Sequence, residues 1–497
     1  MEFLQSSQIR KTSSLGFYII MLIMIFTLLS VNESTVNAND DLNLKLLLLT
    51  AVEESNELAD ERRTVVDLER EIARLRANAG WQYDLNASYN RGDQIQLSQA
   101  NIGDQLQSSG VNERYNISID GGRSFLSGLN LTTDLTVIDS SDLDFDEIVD
   151  NWELDIGLNL RLWPRIPSEL ARTLENLENN LALARLELEK SKEELYLELV
   201  GDYIEIMFLE KRQETNLENL EIAERRLARV EERQEIDEAG ELELAETRLA
   251  LRQAERAYQS TERTLDRLKR NFEKRAAIND RIDYSLKGEV EELLVEDKAS
   301  IDDRIRNYLA NFHEVIRDSQ INSINYSRLM QSLSKAEQKL EWYDDEDTFE
   351  LNVSAMTEVN EGSWQAGFNI SYPLYEGGVK EYEREELVSE IKTVNLNLEE
   401  FIFNLEQRLE AELDGLIIKL DELEDKEIKK EMSRLTFLQE EEAREIGAID
   451  ELELLKAELG YEDAIIDYDE ARFELALDLL MFEQKPGYWS MEEILNE

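Results

Sequence analysis

The sequence predicts an α+β membrane protein in which a unit of strands followed by a long helix occurs twice. Short segments alternate apolar and polar side chains, which is the period of a strand with one apolar face. Runs of about 70 residues carry a helical apolar period instead. The same order of elements occurs twice: helix, strands, long helix, glycine break and helix. In this repeat Gly157 corresponds to Gly367. We expect several copies of the chain to pool their strands into a β-barrel that continues as helices.

The N-terminal residues 1–38 are predicted to be a signal peptide. Arg10 and Lys11 precede an apolar run from Leu15 to Val31, and small residues at Val36 and Ala38 are typical of a cleavage site. The alternative is an uncleaved anchor, because the run is near the lower length limit for a membrane span. The rest of the sequence has no comparable apolar run, so we expect membrane insertion to use strands.

The first repeat is predicted to occupy residues 39–277. Its tunnel helices are 39–80 and 166–277, the latter opening with a coiled-coil seam of leucines and an alanine spaced four and three apart: Leu170, Leu174, Leu177, Leu181, Ala184 and Leu188. Its barrel strands are 81–165, with a hairpin and loop at about 93–148. The hairpin at 115–138 either extends above the barrel or adds strands to it, and we favour the extension.

The second repeat is predicted to occupy residues 278–484. Residues 278–347 are a linker and the first helix of this repeat, 348–375 the barrel strands and 376–484 the tunnel helices, followed by a tail at 485–497. The strand at Trp364–Tyr372 runs into Pro373, Gly377 and Gly378, which end the ladder and permit a turn into the helix. Pro164 has the same place in the first repeat.

Glycines mark the predicted break of each long helix. Gly240 answers to Gly447, at an offset of 207. Beyond the breaks, matching Ala254 with Ala464 makes the first tip three residues shorter than the second.

The composition excludes several classes of protein. Lys and Arg number 54 against 110 Asp and Glu, and the net charge of −56 argues against a nucleic-acid partner. The same excess suggests a protein adapted to concentrated salt. There is no cysteine and one histidine, so disulfides and thiolate chemistry are excluded. We predict no enzyme activity, no catalytic residue, no cofactor and no metal site.

The segment Tyr-Pro-Leu-Tyr-Glu-Gly-Gly at 372–378, the long helix after it and the duplicated glycine-centred break resemble the outer-membrane efflux protein family, typified by TolC. The resemblance implies a trimeric β-barrel in the outer membrane, continued by a long α-helical coiled-coil barrel in the periplasm. It further implies a passive exit duct of a tripartite efflux pump or a type I secretion system. The partners would be two further copies of the chain, outer-membrane lipid, a periplasmic adaptor (membrane fusion) protein and an inner-membrane transporter.

The resemblance also places a gate at the helix tips. The candidate gate residues are Gly240, Glu243, Gly447, Asp450, Glu453 and Lys456. The two aspartates of the family's tip pattern fall on Glu453 and Lys456. Three copies of Glu453 would then form an acidic ring at the tip; the alternative is that Glu453 is one solvated charge among many. The alternative function is a secreted coiled-coil structural or surface-layer protein.

Overall fold

The computed structural model describes residues 44–93, 111–140, 152–276, 298–346, 349–360, 362–372 and 377–491. The chain divides into two units, Met1–Leu47 and Leu48–Glu497. In the first unit only residues 44–47 are described, and they are helical. The predicted signal peptide and Pro373 lie outside the described residues. All that follows concerns the second unit.

The helices and strands occur in the order that the sequence predicts. The helices are α1 Leu44–Glu54, α2 Ala59–Asn78, α3 Glu169–Glu235, α4 Glu241–Arg275, α5 Lys298–Ala310, α6 Phe312–Asn322, α7 Ile324–Glu346, α8 Val379–Glu445 and α9 Glu451–Gln484. The strands are β1 Gln82–Asp93, β2 Val111–Ser124, β3 Leu129–Ser140, β4 Glu153–Trp163, β5 Glu350–Glu358 and β6 Ser363–Ser371. No helix in these ranges combines the length and the apolar character needed to cross a membrane.

Two helical predictions are wrong in detail, because polar residues interrupt the apolar period. The first tunnel helix, expected within 39–80, is broken at Ser55, whose buried hydroxyl accepts a hydrogen bond from the Glu57 backbone N–H at 3.1 Å. The first helix of the second repeat, expected within 278–347, is three helices, with breaks at Asn311 and Ser323. The Ser323 hydroxyl accepts from the Tyr326 N–H at 3.3 Å, as a helix cap does.

The helices of each half pack side by side. Within the first half α2 lies along the start of α3, and α4 runs back along its end; in the second half α7, α8 and α9 repeat this arrangement. Ion pairs join Arg76 to Glu178 at 2.7 Å and Arg185 to Glu69 at 2.6 Å, and both lie along one flank of the predicted leucine seam. Helix α9 also packs on α3 and so joins the two halves.

The core lies along the middle of α3, where α4 and α9 each pack on it. The rings of Phe208 and Phe473 are 5.7 Å apart, and those of Tyr203 and Phe272 are 6.1 Å apart. Leu199 and Ile206 of α3 are fully buried beside them. Burying each such side chain contributes about 1.5–3 kcal/mol, so this cluster fixes the middle of the helical part.

The strands form one antiparallel sheet in the order β1-β2-β3-β4-β5-β6. Strand β2 pairs with β1 from Val111 to Gly122, and β3 pairs with β4 from Leu129 to Thr136. The expectation that the 115–138 hairpin is an extension outside the sheet is therefore wrong. The hairpin adds two strands, and an even number of added strands leaves the antiparallel order of the others intact.

The segment beyond α9, treated from the sequence as a tail, is packed as far as Met491. The Trp489 ring stacks on Tyr196 at 6.3 Å, and the Met491 backbone N–H donates to Glu193 Oε1 at 3.3 Å. The Tyr488 hydroxyl donates to Asp318 at 2.8 Å. The segment thus ties α3 to the short helix α6.

Candidate functional site

The sheet has one apolar face that is continuous across all six strands. Residues directly opposite each other in antiparallel strands point to the same face. Leu85, Ile119, Leu135 and Leu154 lie opposite one another from β1 to β4. Further along, Leu160 lies opposite Val353, which lies opposite Phe368 on β6. Among the described residues no layer covers β6, whose residues are all exposed, so the apolar face suits a lipid environment.

Aromatic residues lie at both ends of this apolar face. At the end where the helices begin are Trp81, Trp163, Phe349 and Tyr372, and at the opposite end are Tyr89, Trp152 and Trp364. Trp163 stacks on Phe349 with ring centroids 6.2 Å apart. Two such belts are the arrangement that aromatic side chains take at the two interfaces of a membrane barrel. The sequence predicts the aromatic residues near the strand ends, and the register of the sheet divides them into two rows.

The opposite face is polar and carries a straight row of carboxylates. Asp84, Asp120, Asp134, Asp155 and Glu358 lie opposite one another on five consecutive strands. We call these five residues the acidic row. The Asn86 amide donates to Asp120, and the Thr136 hydroxyl lies 3.4 Å from Asp134. A face of this kind attracts cations and repels anions.

Sequence reasoning missed the acidic row, because neighbouring members are separated by up to 203 positions, from Asp155 to Glu358. Only the strand register could reveal it. At one end of the row, carboxylate oxygens of Glu153, Asp155 and Glu358 lie within 4.8 Å of one another, close enough to share a cation. These carboxylates are partly solvent-accessible. Carboxylates in this arrangement attract mobile cations from the solvent.

The predicted turns between sheet and helix lie where the sequence places them. Gly377 and Gly378 have φ angles of 68° and 83°, and Gly378 caps α8 in the left-handed conformation. Pro164 follows β4 directly and is buried. In the first half the cap of α3 is Ser168, whose hydroxyl accepts from the Ala171 N–H at 3.2 Å.

The breaks of the two long helices have equal lengths, and this corrects the predicted glycine equivalence. Each break has five residues, 236–240 and 446–450, and each long helix has 67. Gly447 (φ 73°) has the backbone role of Asp237 (φ 59°), whereas Gly240 caps α4 in extended conformation as Asp450 caps α9. The offset is therefore 210 from the last strand of each half through the break, and the first tip is not shorter. Aspartate tolerates the left-handed conformation, which hid the match in the sequence.

Ion pairs hold the two breaks together. Arg229 of α3 pairs with Asp450, and Arg233 Nη1 lies 2.8 Å from Glu243 Oε1 across the first break. Asp450 also accepts the Glu453 backbone N–H at 3.0 Å. That hydrogen bond, followed by the nearby Arg229 guanidinium, holds the pKa of Asp450 below its ordinary value. The structure thus brings Glu243 and Asp450 into one cluster with two arginines that sequence reasoning did not single out.

The remaining predicted gate residues face solvent. Glu453 and Lys456 are exposed on the first turns of α9 and form no ion pair with another described residue. Three apolar side chains are exposed at the same end of the helices: Ile236 at 64%, Leu242 at 74% and Ile446 at 82%. Apolar side chains this open at a helix tip favour a contact surface for another molecule or another copy.

The described part of the chain thus combines a two-faced sheet with two pairs of long helices. Solved structures share this fold. The Campylobacter jejuni CmeC outer membrane channel is 10% identical with a TM-score of 0.56, over 90% of this chain and 86% of that one. CusC is 11% identical with a TM-score of 0.59, over 90% and 92%. The open state of the Neisseria gonorrhoeae MtrE outer membrane channel is 13% identical with a TM-score of 0.52, over 90% and 89%.

The chain therefore has the fold of outer-membrane channels, and the resemblance stated from the sequence is confirmed at the level of the fold. No protein-family model matches the chain, and no curated protein matches it in sequence.

Proposed function

We propose that the chain is an outer-membrane efflux channel, a homotrimer whose pooled strands cross the membrane and whose helices enclose a periplasmic tunnel. The observation that carries the proposal is the sheet, apolar with two aromatic belts on one face and acidic on the other. Such a sheet is stable where lipid covers the first face and water the second. The channel moves its cargo passively and has no chemistry of its own.

Closure of the barrel requires more than one copy. Within the described sheet β1 and β6 are edge strands, each with one row of unpaired backbone groups. An open edge is not tolerated in the hydrocarbon region, because each unpaired group there costs several kcal/mol. Pairing of β1 of one copy with β6 of the next removes every edge, and it places the acidic row in the lumen.

The long helices supply the tunnel. A helix of 67 residues is about 100 Å long at 1.5 Å per residue, enough to extend well beyond the membrane. Helix α8 carries apolar side chains that no other part of the described structure covers, among them Phe403, Ile428, Met432 and Leu435. These residues are the surface on which neighbouring copies pack. The offset of 210 that holds from the last strand of each half through the helix break supports the origin of the two halves as a duplicated unit.

The tips are the gate and the docking site for partners. Arg229–Asp450 and Arg233–Glu243 hold the breaks in one arrangement, and the exposed Ile236 and Ile446 offer apolar anchors. A periplasmic adaptor protein that covers these anchors and competes for the arginines would release the tips. The adaptor in turn links the channel to an inner-membrane transporter. The resemblance fits both a tripartite efflux pump and type I secretion.

Membrane extraction, crosslinking and planar-bilayer recording test the proposal. The protein should leave the membrane only with detergent, crosslink as a trimer and give discrete conductance steps. A chain that washes off with salt or chelator and stays monomeric without detergent would instead support a secreted structural protein. Attachment of a purified adaptor with and without Ile236→Ser and Ile446→Ser tests the tip; Leu309→Ser, an exposed apolar site on α5, is the matched control.

A further inference from the structure

We infer, on the basis of the proposed channel, that the β2–β3 hairpin widens the barrel and so sets the size of cargo that leaves through it. Each chain contributes six strands, and three copies close a barrel of 18. Without the hairpin, β1, β4, β5 and β6 of three copies would close one of 12. The widened exit admits bulky hydrated cargo, with cationic molecules favoured by the acidic row.

The hairpin is part of the sheet and not an attachment to its rim. Strand β1 pairs with β2 over its whole length, from Gln82 to Asp93, and β4 pairs on that side only with β3. Strands β1 and β4 are therefore held two strands apart. In the second half the equivalent strands β5 and β6 pair directly with each other, from Glu350 to Glu358.

The faces of the hairpin match those of its neighbours. Ile119 on β2 and Leu135 on β3 continue the apolar row between Leu85 and Leu154. Asp120 and Asp134 continue the acidic row between Asp84 and Asp155. A hairpin lying above the membrane in water would have no reason to keep either face.

Side chains also pack closely between the hairpin and its two neighbouring strands, β1 and β4. Tyr83 of β1 lies over Gly121 of β2, and a Cβ at Gly121 would stand 2.6 Å from the Tyr83 ring and closer still to Thr133. At Gly157 of β4 a Cβ would collide with Thr132 of β3. Glycine is needed at both positions because a neighbouring side chain already fills the space.

The turn of the hairpin is docked where the sheet meets the helices. The Gly128 N–H donates to the Phe125 carbonyl at 2.9 Å, and the Ser168 hydroxyl donates to the Leu126 carbonyl at 3.0 Å. Ser168 is also the cap of α3. A cleft of 490 Å³ separates the turn from the end of α2 and the start of α3, with Arg123 stacked over the Phe125 ring at 4.5 Å. The hairpin therefore spans the full height of the barrel.

Barrel geometry gives the effect on cargo size. With strands about 4.8 Å apart and tilted by about 40°, 18 strands close a backbone cylinder of about 36 Å diameter and 12 strands one of about 24 Å. Inward side chains remove about 5 Å on each side, leaving lumens of about 26 Å and about 14 Å.

Polymer exclusion in planar bilayers tests the inference. Poly(ethylene glycol) of graded size is added on the barrel side to the full chain and to a variant in which a four-residue turn replaces residues 94–151. We expect polymers of about 20 Å diameter to enter the full-length channel and lower its conductance, and to be excluded from the variant. Exclusion of these polymers from both channels would overturn the inference.

Engineered cysteines keep the test decisive if the shortened chain fails to fold. The chain has no cysteine of its own, so each introduced pair reports one contact. In the inserted channel, Ala87→Cys with Ile117→Cys and Leu131→Cys with Leu158→Cys should form disulfides, because each pair is directly opposite. Leu85→Cys with Leu160→Cys, the pair that would be opposite if β1 and β4 paired as β5 and β6 do, should not, since two strands separate them. The reverse pattern overturns the inference.

Crosslinking of subunits distinguishes a failure of the widened-barrel inference from a failure of the proposed channel function. A membrane-inserted trimer with the reverse cysteine pattern refutes the widened barrel alone. A chain that neither inserts nor forms a trimer refutes the channel and the widened barrel together.

Discussion

Arg229, near the end of α3, forms an ion pair with Asp450, the residue that caps α9, so a single contact joins the break of the first helix pair to that of the second. The two residues are 221 positions apart, and no sequence pattern links them. In a trimer the contact occurs three times at the tunnel tip. It is the most direct connection between the two halves at the proposed gate.

Arg229→Ala should loosen the tip and raise the open probability of the channel. A partly exposed ion pair contributes about 0.2–1 kcal/mol, so three copies together change the ratio of open to closed states by about threefold to about a hundredfold. Single-channel recording measures this ratio. Arg225→Ala is the matched control, because within the described ranges Arg225 pairs with Glu221 of its own helix, at 3.5 Å. Equal effects of the two substitutions would contradict a specific role for Arg229.

Acid should loosen the same contact. The Glu453 backbone N–H and then Arg229 hold the pKa of Asp450 below its ordinary value of 3.8. A carboxyl with a lowered folded-state pKa stabilises the fold fully above its unfolded value, and that contribution is lost as the pH falls through the folded value. We therefore expect open probability to rise when the pH on the tip side falls below about 3.8.

Asp450→Asn separates the charge of this residue from its capping role, because the amide oxygen still accepts the Glu453 N–H. The variant should be more open at neutral pH and should lose the part of the acid response that Asp450 supplies. An acid response as large as that of the unsubstituted channel would assign the effect to other carboxyls.

The sequence predicts those features of the architecture that depend on residues close together in the chain, and it does not predict those that depend on residues far apart. Local signals place the helices, the strands and the turn at Gly377 and Gly378, because period and backbone preference act within a few residues. The membership of the hairpin in the sheet and the acidic row depend on strand register, which the local pattern leaves open. The tip was misaligned by three residues because Asp237 has the conformation that Gly447 has in the other half. Arg229 was missed because its partner lies in the other repeat.

Salt should stabilise the helical part. The net charge is −56, and like charges converge where α3 faces α9. Burial, together with Glu218 and Glu458, raises the pKa of Glu462. Because the folded-state pKa of Glu462 is raised, ionisation of this carboxyl destabilises the fold as the pH rises through that pKa. Salt screens the part of this effect that comes from repulsion by Glu218 and Glu458. We expect the melting temperature in detergent to rise from 0.1 M to 2 M NaCl, on the order of several degrees.

Glu462→Gln should raise the melting temperature at low salt and reduce its dependence on salt. Glu431→Gln is the matched control on α8, because Glu431 accepts two hydrogen bonds from Arg434 at 2.8 Å and its charge is already compensated. A melting temperature that is the same in dilute and in molar salt would count against the adaptation inferred from the composition.

The acidic row should make the channel prefer cations. Asp134→Asn with Asp155→Asn removes two adjacent carboxylates from each copy, six from a trimer, and should shift the reversal potential in a KCl gradient toward zero. Asp303→Asn, an exposed acid on α5 away from the sheet, is the control and should leave it unchanged. An unchanged potential in the double variant would place selectivity elsewhere in the duct.

Trp489→Ala should destabilise the helical part more than any exposed aromatic substitution, although Trp489 lies in a segment without regular structure. Its side chain is 9% exposed and stacks on Tyr196, which α3 buries at the level of the core. Truncating a buried tryptophan leaves a cavity and costs about 3–5 kcal/mol in typical cores. Thermal unfolding in detergent, followed by circular dichroism, measures the loss. Tyr382→Ala on α8, where the ring is 75% exposed, is the matched control and should change the melting temperature little. If both variants melt at the same temperature, the C-terminal segment does not tie α3 to α6 in the membrane-inserted protein.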